Sequence, residues 1–171
     1  MIHCYTGNGK GKTTASLGVA FRAAGYNWNT CIIQFMKGTW TTGEVEAAKN
    51  FPNIDIIPAG KGFYKILDDQ VSEEEHQKAA QEAVITIQER IQSGKYSLIV
   101  LDEVNVAVSL KLIPTDVILE ILKNAPTGIH FALTGRNAPT EFIEISDLVT
   151  EMTEIKHPFN EGQTAQKGLD F

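Results

Sequence analysis

Short, nearly unbroken apolar runs alternate along this chain with longer stretches whose apolar positions recur every three or four residues. The runs predict strands at Ile2 to Thr6, Thr30 to Phe35, Ile54 to Pro58, Ser97 to Asp102, Ile129 to Thr134 and Leu148 to Ile155. Several carry hardly a polar residue, as strands buried on both faces do. The helical period runs from Lys12 to Ala24 and from Ser72 to Ser93, where Ser72 and Glu75 have the spacing of a capping box and Gly94 supplies a stop. A third helix is expected after Pro114, ending near Asn124, and a short one after Pro139. Strands alternating with helices predict right-handed crossovers and an α/β fold, a mostly parallel central sheet with helices on both faces. Ligands of such sheets bind beyond the carboxyl ends of the strands. Met36 to Gly43 and Ala59 to Asp69 fit neither period, nor does Asn160 to Phe171. The second of these, with Gly60 and Gly62 and two aromatic residues, reads either as a mobile functional loop or as an irregular connection.

Length and charge narrow the possibilities. The 171 residues suit a single domain, residues 1–171, with no linker or repeat to divide them. A net charge of -6 argues against nucleic acid as a partner, because binding phosphate backbones needs clustered Lys and Arg. No apolar run approaches the roughly 18 residues of a membrane span, and Met1 leads directly into a strand pattern without the regions of a secretory signal. A cytoplasmic protein with no membrane partner is expected. Cys4 and Cys31 lie inside apolar runs and read as reduced core residues.

The densest chemistry lies between the first strand and the first helix, in Gly7-Asn8-Gly9-Lys10-Gly11-Lys12-Thr13-Thr14. A glycine-rich turn in that position is the context a phosphate-binding P-loop needs: backbone N–H groups and a helix start face the phosphates, a lysine reaches them, and a hydroxyl meets Mg²⁺. The pattern GxxxxGK[ST] asks for glycine at position 6, where this chain has Thr6 and its glycine one place later. A second motif, Leu98-Ile99-Val100-Leu101-Asp102-Glu103, ends a buried strand in two acids, where a metal-holding carboxylate of such a site would stand. Strand alternation sends the two side chains to opposite sides, which predicts separate jobs. Arg136, after the fifth strand, is a weaker candidate, either for phosphate contact or for pairing with a surface carboxylate. Arg22, His157 and Glu73-Glu74-Glu75 read as structural. The residues alone therefore specify a P-loop NTPase-like fold with a nucleotide-phosphate and Mg²⁺ site. They leave the reaction open among kinases, ATPases and nucleotide-using transferases.

The strings GNGKGKTT, QFMKGTW with Gly43-Glu44, AGKGF, LDE, TGR and KHPFNEGQTAQKGLDF, in this order along nearly the whole chain, resemble the P-loop type of ATP:corrinoid adenosyltransferase of the bacterial cobalamin pathway. The resemblance implies attack of Co(I) on the 5′ carbon of ATP, a new cobalt–carbon bond and release of intact triphosphate. It also implies that ATP lies in the loop in the reverse of the ordinary sense. By this resemblance Gly7, Asn8, Gly9, Lys10, Gly11, Lys12, Thr13 and Thr14 bind ATP, Lys12, Thr13 and Glu103 are catalytic, and Thr13 and Glu103 contact Mg²⁺. Members often read GFTW in the loop after the third strand, where an aromatic pair faces the corrinoid; here the string is Gly62-Phe63-Tyr64-Lys65. Phe63 keeps the aromatic position, Lys65 replaces tryptophan, and Tyr64 is the substitute. The implied partners are ATP, a reduced corrinoid, an electron donor such as a flavodoxin-like reductant, and a second copy of the chain in a homodimer. A P-loop phosphotransferase or ATPase releasing ADP or phosphate is the rival reading.

Overall fold

Six parallel strands form one sheet in the order β3-β2-β4-β5-β1-β6. A computed structural model describes residues 1–38, 42–62, 64 and 69–170. The strands are β1 (Ile2–Thr6), β2 (Thr30–Gln34), β3 (Ile54–Pro58), β4 (Leu98–Asp102), β5 (His130–Thr134) and β6 (Leu148–Glu151). The helices are α1 (Lys12–Ala24), α2 (Gly43–Ala48), α3 (Glu73–Gln92), α4 (Val104–Ser109), α5 (Thr115–Asn124) and α6 (Thr140–Ile145), followed by a single 3-10 turn at Pro158–Glu161. The α/β architecture expected from the apolar pattern is the one observed.

Alternation along the strands divides the core in two. Cys31 and Ile33 of β2, Ile99 and Leu101 of β4, and Phe131 and Leu133 of β5 pack against α3 to α6 through Ala83, Ile87, Val104, Ala107, Ile118 and Phe142. On the other face Ile32, Val100 and Ala132 meet Ala20 and Ala23 of α1. Small residues on α1 let it lie close to the sheet, which places its first turn over the carboxyl ends of β1 and β4. β2 and β4, apolar throughout except at their ends, are buried along their whole length, whereas β6 is exposed at every residue. Continuous hydrophobicity therefore marked the interior strands correctly.

Local signals account for the boundaries. The Ser72–Glu75 capping box is present with both reciprocal hydrogen bonds, and α3 stops at Ser93 before Gly94. The sixth strand, expected to reach Ile155, ends at Glu151 because the Met152 N–H donates to Thr6 O at 2.8 Å and Met152 O accepts from Gly9 N at 2.6 Å. Met152 thus turns from pairing along the sheet to bracing the loop after β1. Two short helices, α2 and α4, were not expected. In α4 the sequence Val-Asn-Val-Ala-Val-Ser is rich in β-branched residues and has no side-chain cap, so its helicity comes from burying Val104, Ala107 and Val108.

Phe142 is the one buried residue of α6 and is fully inaccessible. Phe142→Ala is expected to lower unfolding free energy by about 3–5 kcal/mol, as phenylalanine truncation in cores does, with the midpoint of urea unfolding as the measurement.

Candidate active site

Because all six strands run the same way, Thr6, Gln34, Pro58, Asp102 and Thr134 end at one edge of the sheet. The loop from Gly7 to Gly11 leaves β1 there and enters α1. Gly7 has φ 93°, and a Cβ on it would lie 2.5 Å from Met152 O; one on Gly9 would lie 2.8 Å from the same oxygen. These two glycines therefore admit the backbone of Met152 and Thr153 alongside the loop. The Gly9 N–H, expected to face phosphate, is directed to Met152 O instead.

Lys12 lies inside the bowl of this loop. Its ammonium donates to Gly9 O at 2.6 Å and to Gly7 O at 2.8 Å, and its side chain is buried. Burial lowers its pKa, Glu103 acts to raise it, and the guanidinium of Arg136 acts to lower it. Asn8, Lys10 and Thr14 are exposed around the rim. Lys10 forms an ion pair with Asp170, which brings the end of the chain back to the loop.

Thr13 connects the loop to the acids. Its hydroxyl donates to Asp102 Oδ1 at 2.8 Å, and the hydroxyl of Thr134 donates to the same oxygen at 2.7 Å. Gln34 Nε2 approaches Asp102 Oδ2 at 3.4 Å and donates to Glu44 Oε1 at 3.1 Å. Asp102 is only 1% exposed; burial pushes its pKa up, and the hydrogen bonds from Thr134, Thr13 and Gln34 pull it down. A strand (β5) separates β1 from β4, so Thr134 fills the gap between the loop strand and the acid.

Glu103 corrects the expectation that alternation sends the two acids apart. It has left the strand: its φ is 61° and it caps α4, with its N–H donating to Thr134 Oγ1 at 2.9 Å. Burial first, then the neighbouring Asp102 charge, raise its pKa to about 7, against the opposing pull of Lys12, Arg136 and Lys37. Both acids thus belong to one electrostatic site. Asn105, fully buried, holds the Gly135 carbonyl with its amide at 3.1 Å and so ties α4 to the turn carrying Arg136.

Sequence reasoning assigned no site role to Gln34, Lys37, Glu44, Thr134 or Asn105. A polar residue ending an otherwise apolar strand, as Gln34 and Thr134 do, was the available signal. Tyr64, expected to face a corrinoid, is a core residue here: it is 4% exposed, and its ring meets His76 edge-on at a centroid distance of 5.0 Å. Phe63 and Lys65 lie outside the described residues. Among the other side chains read as structural, His157 accepts from Phe159 N at 3.2 Å and caps the 3-10 turn, and Arg22 stands in the last turn of α1, away from the loop.

The whole chain, residues 1–171, matches the family described as ATP:corrinoid adenosyltransferase BtuR/CobO/CobP. The chain belongs to that family. A corrinoid adenosyltransferase of Sinorhizobium sp. is 38% identical over 174 residues, covering 100% of this chain and 80% of that protein. Corrinoid adenosyltransferase CobA of Salmonella typhimurium is 33% identical over 178 residues, covering 100% and 85%. In fold alone, the chain is similar to the KaiC-like protein PH0186 of Pyrococcus horikoshii OT3, with a TM-score of 0.52 at 15% identity over 91% of this chain and 74% of that one. Family and fold agree with a P-loop α/β domain.

Glu103 gives the site a pH signature. Its carboxyl holds a proton to about pH 7 in the folded chain but only to its ordinary 4.5 when unfolded. The folded state thus binds more protons between these values, and stability falls as pH rises through them. Unfolding free energy of the wild type, measured in urea from pH 4.5 to 7.5, is expected to decline relative to Glu103→Gln across that window and to run parallel above it. Parallel curves throughout would place Glu103 in water.

Proposed function

We propose that this chain transfers the 5′-deoxyadenosyl group of ATP to Co(I) of a corrinoid. The electron pair of Co(I) forms the bond to C5′ while the C5′–O bond breaks, and that bond's electron pair leaves with the triphosphate. The observation that carries this reading is the match of the entire chain to the family, joined to a lysine held inside the loop by its carbonyls and a threonine bonded to a buried acid at one sheet edge.

Each residue has a definable task. Lys12 is already inside the loop bowl, and exchanging two carbonyl partners for phosphate oxygens would neutralise charge on the leaving group without moving the helix that carries it. Asp102 is a positioning residue: by accepting the hydrogen bond of the Thr13 hydroxyl it leaves the lone pairs of Thr13 Oγ1 to face a cation. The hydroxyl of Thr13 and the carboxylate of Glu103 are hard oxygen donors, which suits Mg²⁺. Among the described residues no group of three or more His, Cys, Asp or Glu forms a metal cage, so phosphates and water would complete the shell. Bound there, Mg²⁺ would stabilise negative charge on the departing triphosphate. The remaining residues of the loop, Gly7 to Gly11 and Thr14, would line the same nucleotide. Phe63 is assigned to the corrinoid face on its sequence position. A flavodoxin-like electron donor, a homodimer and a cytoplasmic setting belong to the same reading.

The product separates this reading from a phosphotransferase or ATPase. Incubation of ATP, Mg²⁺ and chemically generated Co(I) corrinoid without oxygen should give a light-sensitive alkyl product and triphosphate in equal amounts; ADP or phosphate instead would overturn it. Lys12→Ala should reduce kcat/KM for ATP by about 30-fold or more, the scale of losing one partner of a desolvated charge pair, with an unchanged melting temperature. Phe63→Ala should slow turnover from Co(II) corrinoid far more than turnover from preformed Co(I), because axial ligation and burial are the protein's levers on the metal's potential. Equal losses with both cobalt states would assign Phe63 to packing.

A further inference from the structure

One cation beside the acid pair has no part in the tasks above. Lys37 stands on the turn leaving β2, its ammonium 3.9 Å from Glu44 Oε1, at the outer limit of an ion pair, and its side chain is 22% exposed. Its partner is held from behind. Gln34, 1% exposed, spends both amide hydrogens on carboxylates, one on Glu44 and one on Asp102. Reversing that amide would set its oxygen against two acids, so its orientation is fixed, and its Oε1 has no hydrogen-bond partner among the described residues. A continuous line of contacts therefore runs from Thr13 through Asp102, Gln34 and Glu44 to Lys37. The positive charge of Lys37 also acts on both Asp102 and Glu103, which places it within electrostatic reach of the site that Lys12 and Arg136 flank.

The backbone under Lys37 is tied to the loop that leads to Phe63. A Cβ on Gly60 would lie 2.2 Å from Phe35 O and 3.0 Å from Lys37 N, and one on Gly38 would lie 3.2 Å from Gly62 N. The Ala59 N–H donates to Gln34 O at 3.0 Å. Residues 35–38 and 59–62 are thus packed main chain to main chain.

We propose that Lys37 is a further phosphate-binding cation of this site, resting on Glu44 when the nucleotide is absent and moving to the triphosphate when it is bound. This rests on the reading of the loop as an ATP site. Two observations favour it: the pairing with Glu44 is long, and the Lys37 side chain keeps 22% of its surface exposed; a polyanion beside Lys12 and Arg136 also attracts a third cation more strongly than one carboxylate does.

The test is calorimetric titration of inorganic tripolyphosphate with Mg²⁺ into the wild type, Lys37→Met, Lys37→Arg, Glu44→Gln and, as reference, Lys12→Ala. Lys37→Met should weaken binding about tenfold or more, the scale of one charge-assisted hydrogen bond, with an unchanged melting temperature. Lys37→Arg should restore most of the affinity, and Glu44→Gln should bind as tightly as the wild type or more tightly, since it releases the lysine and removes a like charge. Wild-type affinity in Lys37→Met alongside weakened Lys12→Ala would overturn the role of Lys37 and leave the loop assignment standing. A lowered melting temperature with equal loss in Lys37→Arg would overturn it too, marking Lys37 as a structural partner of Glu44. No binding by the wild type would overturn both.

Discussion

A carboxylate almost wholly out of water, Asp102, is the constraint on which the site depends. A buried charge is costly unless its lone pairs are met, and here two hydroxyls and an amide meet them. Those three donors come from α1, β5 and β2, so satisfying one acid fixes the positions of three elements relative to β4. Thr13 belongs at once to the phosphate loop and to this set. Its rotamer follows from the needs of Asp102, and the loop is aligned with the acid edge before any ligand arrives.

The other side of the loop is closed by main chain. Met152 gives its N–H to Thr6 and takes one from Gly9, while Gly7 and Gly9 leave room for it. The glycine spacing that departs from the usual P-loop pattern at Thr6 has a structural meaning here: Gly7, with φ 93°, sits where β6 ends and the chain leans over the loop. Side chains at positions 7 and 9 would collide with backbone, which has nowhere to retreat without unpairing β1 from β6. These glycines serve the architecture of the loop as well as any phosphate it holds.

Much of this could be read in the sequence where local physics and global fold agree. Unbroken apolar runs identified the interior strands, Ser72 and Glu75 fixed the start of α3, and the glycine-lysine-threonine turn between strand and helix located the site edge. What escaped is what depends on tertiary partners. α4 has poor helix formers and exists because its valines are buried. Glu103 was placed by strand alternation, but the strand ends at Asp102 and a left-handed residue follows. Tyr64 was assigned by its place beside a family aromatic, yet its ring finds His76 and the core. Gln34 received no role in the sequence reading, and nothing local could say that it lies between two carboxylates.

The charged groups of the ligand-free site share a property that bears on how binding energy is used. Lys12 is bonded to carbonyls of its own loop, Lys37 leans on Glu44, and Glu103 is held toward its protonated form by burial and by Asp102. Lys12 and Lys37 each have a substitute partner that a metal-bound triphosphate would replace, so neither stands bare in the bowl. Exchange of one set of partners for another costs less than desolvating free charges. In the proposed reaction negative charge on the triphosphate grows as the C5′–O bond breaks. Cations that leave weak internal partners for that charge gain most at the transition state, which is the condition under which binding energy accelerates a reaction and does more than hold the substrate.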